Sequence, residues 1–531
     1  MPATTRVKKY VDDVIRRARV PMEPFDHVVR WDEQPRRHKV FPHAQQFEMP
    51  IGEKSYGSLS DAFSSSAADP GALLDIPALG RALHDTYGLL SRRLRVTGND
   101  DALNKTVSAV STYARGAANG GGLYPLEFYW VSGSSARQLP GVYHWNTASG
   151  SLQRLLVGDA SDRVRDALGT GCETDQFLLV TVKLWKNAFK YNSFSHHVVT
   201  MDLGTVLATL SMTGLIGGSE QRMPRLWFDS ARLDGLLGVD SLDETTLAVL
   251  PLPPGAGAPS PGSTAADAGV RLHESERFPG STRFAQVAEV MRDTFADEVA
   301  PVIDAVPART STGAVLSLPP EVEAETATTL GLSDLLAARR SSFGTFSSSL
   351  PLDLAELAHV LRTADRGARL QTDAGRAGFA RVAVFCNHVA GVAPGAYVYD
   401  RDGDALIRLD EDDPGLFLQT TYFLDNYNVE QAAAVLAILI PVDDVLAAGG
   451  SRCVRLMNAV VGAATQSAYL AAADLGLACG AALGFDNVAY AERLGLIGTG
   501  EWPLIMIMIG HDRGDQADFA APLDLDAKEQ P

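Results

Sequence analysis

The sequence repeats itself: two halves of the 531-residue chain carry the same short motifs in the same order. A Phe-Asp pair, a Leu-Gly pair and a glutamate recur at one constant offset, at Phe228-Asp229, Leu237-Gly238 and Glu244 and again at Phe485-Asp486, Leu494-Gly495 and Glu501. One such match could arise by chance, but several in the same order indicate an internal duplication. The chain is therefore expected to fold as two copies of one domain.

Two hairpin signals support the duplication. In the first half, residues 141–145 (GVYHW) are followed by a polar turn and by residues 152–155 (LQRL). In the second half, residues 395–399 (GAYVY) are followed by a polar turn and by residues 406–409 (LIRL). Each pattern predicts an antiparallel strand pair with alternating side chains.

A stretch of Pro, Gly, Ala and Ser between the halves, Pro251–Gly269, has the composition of a linker. Two domains are therefore expected at residues 51–250 and 270–515, with the linker at residues 251–269 between them. An N-terminal leader segment at residues 1–50 and an acidic tail at residues 516–531 complete the predicted organisation. The length agrees with this division, because 531 residues are too many for one ordinary core.

Both helices and strands are predicted in each half. The long and nearly all-apolar segments Asn458–Leu475 and Met201–Thr213 predict helices that are buried centrally. Shorter helices are predicted at Ser333–Ala338 and Leu354–Thr363. Strands are predicted at Glu127–Val131, Phe177–Val182, Val382–Phe385, Val435–Pro441 and Leu504–Ile509. The predicted fold class is therefore α+β, twice, with a buried helix in each copy.

Charge and cysteine content disfavour several classes of function. The net charge of −18 repels nucleic-acid phosphates and anionic lipids. The four cysteines lie far apart without a C-x-x-C pair, which predicts reduced thiols rather than a disulfide framework or a zinc knuckle. No segment has the length and hydropathy of a membrane span, and the N-terminus lacks the apolar run of a signal peptide. We expect a cytoplasmic protein with no nucleic-acid or membrane partner.

Four segments carry residues suited to hold a cofactor or to transfer protons. They are Arg339-Arg340-Ser341, Gly510–Arg513, the glycine-rich stretch Arg115–Glu127 (RGAANGGGLYPLE) and Phe189–Asn192 (FKYN), which precedes Met201–Gly204 (MDLG). Together with Trp31–Pro50, they resemble the nitroreductase-like flavoproteins and, within these, the SagB-type azoline dehydrogenases of ribosomal peptide biosynthesis. The resemblance covers nearly the whole chain except the linker and the acidic tail. It implies two tandem nitroreductase-like domains that form a covalent pseudo-dimer and bind FMN.

The Arg-Arg-Ser segment is similar to the one that holds FMN in that superfamily. Two guanidinium groups and a hydroxyl can give charge-assisted hydrogen bonds to phosphate and ribityl oxygens, so Arg339, Arg340 and Ser341 are candidate FMN ligands. Arg513 follows the last predicted strand and resembles the basic residue near the flavin in the family's closing strand. The Arg pair alone could equally be a basic helix end that complements the helix dipole.

The glycine-rich stretch in the first half is similar to the family's R-x-x-P-S-G-G-x-x-Y-P-x-E pattern. Glycines there let backbone N–H groups come close to a cofactor without a Cβ in the way. The usual Pro-Ser is Ala118-Asn119 in this chain. A dinucleotide-binding fingerprint is excluded, because the run precedes a strand instead of opening a helix after one. The resemblance implies FMN contacts from Arg115, Asn119, Gly120, Gly121 and Gly122.

Lys190 and Tyr191 resemble the Lys-Tyr pair that azoline dehydrogenases carry ahead of a Y-R-x-x-x-x-D/E-x-G helix. Those enzymes aromatise a thiazoline or oxazoline ring, so a Cα proton must leave while a hydride passes to the flavin. A desolvated lysine can act as the base, and a neighbouring phenol can orient it or relay the proton. Both are therefore candidate catalytic residues, although a Lys-Tyr dipeptide without this context usually lies at the surface.

His196 and His197 stand where the family favours Tyr-Arg, and they are candidate substrate contacts. Binding of a metal by this pair is disfavoured, since no third ligand is spaced to join them.

Each half keeps only part of a site. The first half has Ser66-Ala67-Ala68 where the second has Arg339–Ser341, and the second has Ala447-Ala448 where the first has Lys190-Tyr191. The glycine run is also broken in the second half, near Gly375–Gly378. Nitroreductase-like proteins are typically two-fold dimers in which both subunits contact each flavin. The sequence therefore predicts one composite FMN site and one lost site.

The resemblance implies FMN-dependent oxidation of thiazolines or oxazolines in a ribosomally made peptide. The expected partner is an azoline-containing precursor peptide, and a cyclodehydratase or other biosynthetic enzymes are further candidate partners. Two alternatives stay open at this point. One is a nitroreductase-like oxidoreductase that acts on another small or peptidic substrate, and the other is a flavin-less scaffold subunit of a biosynthetic complex.

Overall fold

The computed structural model of the chain describes residues 2–54, 57–64, 72–97, 108–136, 138–169, 171–257, 269–278, 281–295, 300–303, 306, 309–320, 330–342, 344–424, 426–514 and 518–523. In these residues each half builds one antiparallel sheet with helices packed against it. The α+β class predicted from the sequence is confirmed in both halves.

The first half contributes eight strands. They are β1 (Gln45–Glu48), β2 (Ser91–Thr97), β3 (Ser108–Ala114), β4 (Leu126–Ser132), β5 (Gly141–Asn146), β6 (Ser151–Val157), β7 (Gln176–Lys183) and β8 (Glu244–Pro251). Six of them form a sheet in the order β1-β6-β5-β4-β7-β8, and β2 and β3 pair with each other outside it. The predicted strands at residues 127–131 and 177–182 are β4 and β7, which are neighbours in this sheet.

The second half contributes ten strands among the described residues. They are β9 (Val315–Ser317), β10 (Gln371–Thr372), β11 (Gly375–Arg376), β12 (Arg381–Cys386), β13 (Gly395–Asp400), β14 (Ala405–Asp410), β15 (Ala434–Pro441), β16 (Ala478–Ala482), β17 (Glu501–Gly510) and β18 (Asp518–Pro522). Seven form a sheet in the order β16-β17-β15-β12-β13-β14-β9. The three strands predicted in this half are β12, β15 and β17.

Helices cover the sheets and fill the space between them. Those of the first half are α1 (Ala3–Arg16), α2 (Leu59–Ser64), α3 (Ile76–Tyr87), α4 (Ser161–Leu168), α5 (Trp185–Tyr191), α6 (Ser195–Met212) and α7 (Ser230–Leu237). Those of the second half are α8 (Ala285–Phe295), α9 (Leu332–Ala338), α10 (Leu354–Ala368), α11 (Gly415–Thr421), α12 (Val442–Gly449), α13 (Cys453–Asp474) and α14 (Asn487–Arg493). The four predicted helices are α6, α9, α10 and α13. None of the helices described is both long and apolar enough to cross a membrane.

The repeated Phe-Asp and Leu-Gly motifs mark the two ends of equivalent helices. The carboxylates of Asp229 and Asp486 accept backbone N–H groups at the starts of α7 and α14, which is the usual role of an N-cap aspartate. Gly238 and Gly495 follow the same helices with φ of 67° and 68°, a backbone conformation that glycine adopts without strain. The motifs recur because each copy needs the same helix start and stop.

The repeated hairpins are equivalent as well. The first is β5–β6 and the second is β13–β14, and both are antiparallel. Each has a register shift at the same place, between Val142 and Tyr143 in one and between Ala396 and Tyr397 in the other. A shared irregularity of this kind supports common descent of the two copies, because bulges are retained within a family.

The two central helices, α6 and α13, pack directly against each other and join the halves. Their backbones touch at glycine: a Cβ on Gly204 would lie 1.9 Å from the carbonyl oxygen of Ala459, and one on Gly462 would lie 1.9 Å from that of Met201. Nearly every residue of both helices is buried, as their apolar sequences predict. In a two-subunit protein this helix pair would be a subunit interface; here it lies within one chain.

Segments at both ends of the chain cross between the halves. α1 packs against α8, α12 and α14, and β18 pairs with β2, so that Ala520 lies opposite Arg93. Part of the expected acidic tail is therefore a strand that completes a three-stranded sheet with β2 and β3. Residues 258–268 of the expected linker lie outside the described residues.

Candidate functional site

A cavity of about 1340 Å³ lies between the two halves and is called the interdomain cavity below. Ten of the candidate site residues line it. They are Arg115, Asn119, Gly120, Gly121, Gly122, Lys190 and Tyr191 from the first half and Arg339, Arg340 and Ser341 from the second. Residues that the sequence predicts to cooperate, although they come from different copies, are thus brought to one place.

The glycine loop before β4 is held by a hydrogen-bond network around Asn119. Its carboxamide nitrogen donates to Asp202 Oδ2 at 2.7 Å, while its carboxamide oxygen accepts the backbone N–H groups of Leu123 and Tyr124 at 2.9 and 2.8 Å. Gly120 N–H donates to Asp202 Oδ1 at 2.8 Å. The Asn119 side chain therefore stabilises the loop by hydrogen bonds within it. The sequence predicted a contact with FMN for this residue and did not predict these bonds.

Two glycines of the loop, which lack side chains, leave space for Tyr191 on one side and for a ligand on the other. Gly121 has φ of 69°, and a Cβ there would lie 2.4 Å from the Tyr191 hydroxyl oxygen. Gly122 has φ of 67°, and a Cβ there would meet no atom within 4 Å. Glycine at position 121 therefore leaves the space that the Tyr191 hydroxyl occupies, whereas glycine at position 122 leaves the backbone open toward the interdomain cavity.

The second half clamps this first-half loop from the other side. Arg339 Nε donates to the carbonyl oxygen of Gly116 at 2.8 Å, and another of its nitrogens donates to that of Arg115 at 3.1 Å. Gln466 of α13 accepts the Ala118 N–H and donates to Gly116. Arg339 is therefore first of all a contact between the halves, with the remaining N–H groups of its guanidinium available to a ligand.

The other predicted FMN ligands of the second half differ in exposure. The Arg340 side chain is half-exposed, and one of its guanidinium nitrogens lies 3.9 Å from an Asp512 carboxylate oxygen. The Ser341 hydroxyl lies 2.9 Å from the Tyr469 hydroxyl, on the wall of the interdomain cavity. Arg513 is not among the lining residues; its Nε donates to the carbonyl oxygen of Phe346 at 2.9 Å. The structure brings Arg340 and Ser341 to the cavity, whereas the predicted contact of Arg513 with FMN is not supported by its position.

Lys190 is a partly desolvated amine on the cavity wall. Its ammonium group lies 4.9 Å from the Tyr191 ring centroid and 5.9 Å from that of Trp31. Among the described residues no carboxylate pairs with it, and burial lowers its pKa from the ordinary lysine value. A lysine with a lowered pKa can lose its proton more readily and serve as a base.

Tyr191 stays protonated over the physiological range. Burial, with a smaller contribution from the charge of Asp202, raises the pKa of its phenol to about 12. A neutral phenol beside Lys190 can donate a hydrogen bond, so it suits the orienting role that the sequence suggested.

Asp202 lines the interdomain cavity, although the sequence reading did not select it. It is 3% exposed, and burial raises its pKa to about 7, while the hydrogen bonds from Gly120 and Asn119 oppose the shift. A signal was present in the sequence: one carboxylate in an otherwise apolar buried helix needs a compensating partner or a function.

His196 and His197 do not line the cavity, so the predicted substrate contacts are not supported by their position. Both are buried in the first turn of α6, where His196 packs edge-on against the Tyr10 ring of α1. Burial lowers the pKa of His196 to about 3 and that of His197 well below its usual value. They are neutral core residues, because the helix begins six residues before the predicted start and buries them.

In the second half, the segment that corresponds to the glycine loop region is joined to other parts of the chain by hydrogen bonds. The turn between β10 and β11 carries Asp373, whose carboxylate accepts the N–H groups of Leu226 and Trp227 at 2.9 and 3.0 Å. The N–H of Ile303, a fully buried residue, donates to the carbonyl oxygen of the adjacent Ala374 at 2.9 Å. Residues 66–68, the predicted counterpart of the Arg-Arg-Ser segment, lie outside the described residues.

A buried arginine lies at the start of the central helix of the second half. Arg452, immediately before α13, is 0% exposed and donates to the carbonyl oxygens of Thr294 and Phe228 at 2.7 Å each. Pro301 lies so close to α12 that a Cβ on Gly449 would be 2.6 Å from its ring. Where the first half has Lys190-Tyr191 on the cavity wall, the second half is packed against Thr294 and Pro301.

Large apolar side chains are exposed along the interdomain cavity, and the charged residues that line the cavity are mostly basic. Four large side chains that line it are exposed, namely Phe25, Trp31, Phe423 and Leu424. Among the described lining residues, seven are Arg or Lys and only Asp202 is acidic, although the whole chain has a net charge of −18. The cavity is therefore complementary to an anionic ligand and to apolar groups near its entrance.

Comparison with known proteins identifies the fold. A family model described as the Nitroreductase family matches residues 336–511, in the second half of the chain. A putative nitroreductase from Anabaena variabilis ATCC 29413 aligns with a TM-score of 0.71 at 19% identity, over 96% of this chain and 99% of that one. No curated protein matches. The fold is therefore nitroreductase-like, and the likeness to the Anabaena protein extends over both halves.

Two partial matches have TM-scores too low to carry an argument. The E. coli microcin synthetase McbBCD complex with truncated pro-MccB17 bound aligns at 17% identity over 32% of this chain and 68% of that one, with a TM-score of 0.28. A putative nitroreductase in complex with FMN from Exiguobacterium sibiricum 255-15 aligns at 13% identity over 34% and 87%, with a TM-score of 0.24.

Proposed function

We propose that this nitroreductase-like chain is an FMN-dependent dehydrogenase that oxidises thiazolines or oxazolines in a ribosomally made peptide to thiazoles or oxazoles. The observation that carries the proposal is the position of Lys190 and Tyr191. They line the same cavity as the glycine loop and as Arg339–Ser341 of the other half. A base, a phenol and a cofactor cradle are thus adjacent, as ring aromatisation requires.

The residues of the interdomain cavity fit FMN. The backbone at Gly122 is open to the cavity, and guanidinium groups of Arg339 and Arg340 together with the Ser341 hydroxyl provide donors suited to phosphate and ribityl oxygens. The excess of lining cations suits the charge of the phosphate. FMN, when bound, would supply the two-electron acceptor for the reaction.

Lys190 and Tyr191 would carry out the proton transfer. Aromatisation breaks two C–H bonds of the azoline ring: the Cα hydrogen leaves as a proton, and the adjacent ring carbon loses a hydride. In the proposed reaction the Lys190 amine takes the Cα proton, and the neutral Tyr191 phenol orients this amine or relays the proton. The partial burial of Lys190 supports this role, because desolvation favours its neutral form.

The entrance provides apolar contacts suited to a peptide. Exposed Phe25, Trp31, Phe423 and Leu424 provide apolar contacts for the residues that flank a ring. A precursor peptide carrying azolines is therefore the proposed partner, with a cyclodehydratase or other biosynthetic enzymes as further partners.

We also propose one FMN site per chain. The glycine run is broken near Gly375–Gly378 in the second half, and α12 carries Ala447-Ala448 in place of the Lys-Tyr pair. A cytoplasmic location is proposed as well, since the four cysteines are buried and lie far apart in the sequence without a C-x-x-C pair, as expected of a protein kept in a reducing compartment.

The decisive experiment combines a spectrum with a mass measurement. Purified protein should show the visible absorbance of flavin at about one equivalent per chain, and it should remove two mass units per ring from an azoline peptide. Lys190→Ala should keep the flavin absorbance and lose turnover, whereas Lys9→Ala, which changes an exposed lysine of α1, should preserve both.

Each contrary outcome is informative. Two equivalents of FMN per chain would refute the single site. Colourless protein that binds no added FMN would favour a scaffold subunit, and flavin-loaded protein that leaves azoline peptides unchanged would favour an oxidoreductase with another substrate.

A further inference from the structure

We propose that Asp202 is a positioning residue whose ionised carboxylate holds the glycine loop in the shape that binds the cofactor and accommodates Tyr191. This inference rests on the proposed FMN site but assigns a role to a residue that neither the Arg-Arg-Ser segment nor the Lys-Tyr pair includes. Asp202 lies on α6, the helix that joins the halves, with its side chain at the wall of the interdomain cavity.

The Asp202 carboxylate reaches the whole loop through two hydrogen bonds. Oδ1 accepts the backbone N–H of Gly120, and Oδ2 accepts the carboxamide nitrogen of Asn119. The carboxamide oxygen of Asn119 in turn accepts the N–H groups of Leu123 and Tyr124. If Asp202 releases Asn119, the acceptor of those two loop amides is no longer fixed, so the loop as a unit loses its support.

The glycine loop is packed against α6 and α5, so a shift of the loop would displace side chains of these helices. A Cβ on Gly120 would lie 2.2 Å from a methyl carbon of Val198, so the loop already rests on α6. On the other side of the loop, a Cβ on Gly121 would lie 2.4 Å from the Tyr191 hydroxyl oxygen. A displacement of the loop would therefore move the surface on which the Tyr191 phenol packs, and it would change the backbone that faces the cavity at Gly122.

The carboxylate is buried without a cation. Among the described residues, no Lys, Arg or His lies within ion-pair distance of Asp202, although buried carboxylates are usually paired. The titratable groups that face it are the phenols of Tyr87 on α3 and Tyr191 on α5. From α13, Gly462 and Thr465 line the same cavity and carry no charge.

This environment makes the loop contact sensitive to pH. Burial raises the pKa of Asp202 to about 7, so its proton is gained and lost near neutrality. The ionised form offers two strong acceptors for its two donors. The protonated form keeps one carbonyl oxygen and one hydroxyl oxygen, which is a weaker acceptor, so one loop contact weakens as the pH falls through about 7.

FMN affinity measured against pH tests the proposal. Flavin-free protein is titrated with FMN between about pH 5.5 and 8.5, and binding is followed by quenching of flavin fluorescence. We expect the wild-type affinity to fall about tenfold below pH 7, the effect of weakening one charge-assisted hydrogen bond. The Asp202→Asn variant should bind FMN more weakly than the wild type at high pH, and its FMN affinity should no longer depend on pH near 7. The reason is that the amide NH₂ group cannot accept a hydrogen bond, so one of the two loop donors loses its acceptor.

Asp373→Asn is the matched control. Asp373 is also a carboxylate that accepts two N–H groups, and partial burial raises its pKa to about 6, but it lies in the turn between β10 and β11 and does not line the interdomain cavity. Its replacement should leave the FMN affinity and the pH dependence near 7 as in the wild type. Any titration of the FMN phosphate itself is common to all three proteins and cancels in the comparison.

A second measurement keeps the proposal testable without FMN. In flavin-free protein, Asp202→Asn should speed hydrogen exchange at residues 119–124, and Asp373→Asn should not. Unchanged exchange and an unchanged pH profile in Asp202→Asn would overturn the role of Asp202. Faster exchange in a protein that binds no FMN at any pH would support the loop contact and would refute only the proposed function.

Discussion

The replacement of Gly121 by alanine tests whether the glycine loop is shaped around Tyr191. A Cβ at this position would lie 2.4 Å from the Tyr191 hydroxyl oxygen and 3.1 Å from two of its ring carbons. Gly122 is a matched control in the same loop, because its φ of 67° is close to the 69° of Gly121 while a Cβ there meets nothing within 4 Å. Gly121→Ala and Gly122→Ala therefore share the backbone strain and differ in the contact.

The magnitudes follow from these distances. Alanine in the left-handed region costs about 1–2 kcal/mol, which both variants should show. To relieve a 2.4 Å contact, the Tyr191 hydroxyl must retreat by about 1 Å, and overpacking of this kind costs about 1–3 kcal/mol more. We expect Gly121→Ala to be the less stable variant by that amount. A catalytic group misplaced by about 1 Å can lose about 100-fold in rate, so turnover should fall far more in Gly121→Ala than stability alone explains.

The assay is urea unfolding of flavin-free protein, so that a ligand facing Gly122 does not enter the comparison. The same two replacements are then made in a Tyr191→Phe background, which removes the atom at 2.4 Å and leaves the ring carbons at 3.1 Å. Most of the excess cost of Gly121→Ala should disappear there, giving a coupling energy of about 1 kcal/mol or more between the two positions. Equal destabilisation by Gly121→Ala and Gly122→Ala, or additivity with Tyr191→Phe, would refute the reasoning.

Three further outcomes are expected. Turnover should rise with pH as Lys190 loses its proton and should level off below the ordinary lysine pKa of about 10.4, because burial lowers the pKa of this amine; a pH–rate profile of Lys190→Met should lack that limb. Gly204→Ala should abolish cooperative unfolding of the joined halves, since its Cβ would lie 1.9 Å from a carbonyl oxygen of α13, whereas Gly235→Ala, which meets nothing within 4 Å in α7, should be nearly neutral in a thermal melt. Deletion of residues 516–531 removes β18 and should increase protease cleavage of the β2–β3 hairpin, with cleavage elsewhere in the chain as the internal control.

Features with local causes could be predicted from the sequence. The Phe-Asp and Leu-Gly repeats predicted equivalent positions because an N-cap aspartate and a glycine after the last turn are needed wherever that helix occurs. The cavity-lining roles of the glycine loop and of Lys190 followed from their order along the chain. Ten candidate residues line one cavity, and that agreement depended on recognising the pattern of two complementary halves.

Features that depend on contacts distant in sequence could not be predicted. Arg339 was expected to bind a phosphate, but its first partners are carbonyl oxygens more than 200 residues away. The pairing of β18 with β2 likewise joins segments that are far apart in the sequence. The burial of His196 and His197 has a different origin: the helix was predicted to begin at Met201, but α6 begins at Ser195 and includes both imidazoles in the core.

Asp202 also explains why one chain would have one site. At the offset that relates Glu244 to Glu501, Asp202 corresponds to Ala459, which has no acceptor to hold a loop. The Ala459 backbone instead lies against Gly204, in the packing of α6 on α13. In a dimer of identical subunits such a loss would affect both sites at once, whereas a fused chain can lose one loop support and keep the other. Ala459→Asp alone should not restore a second site, because the second half also lacks the glycine run and carries Ala447-Ala448 in place of the Lys-Tyr pair.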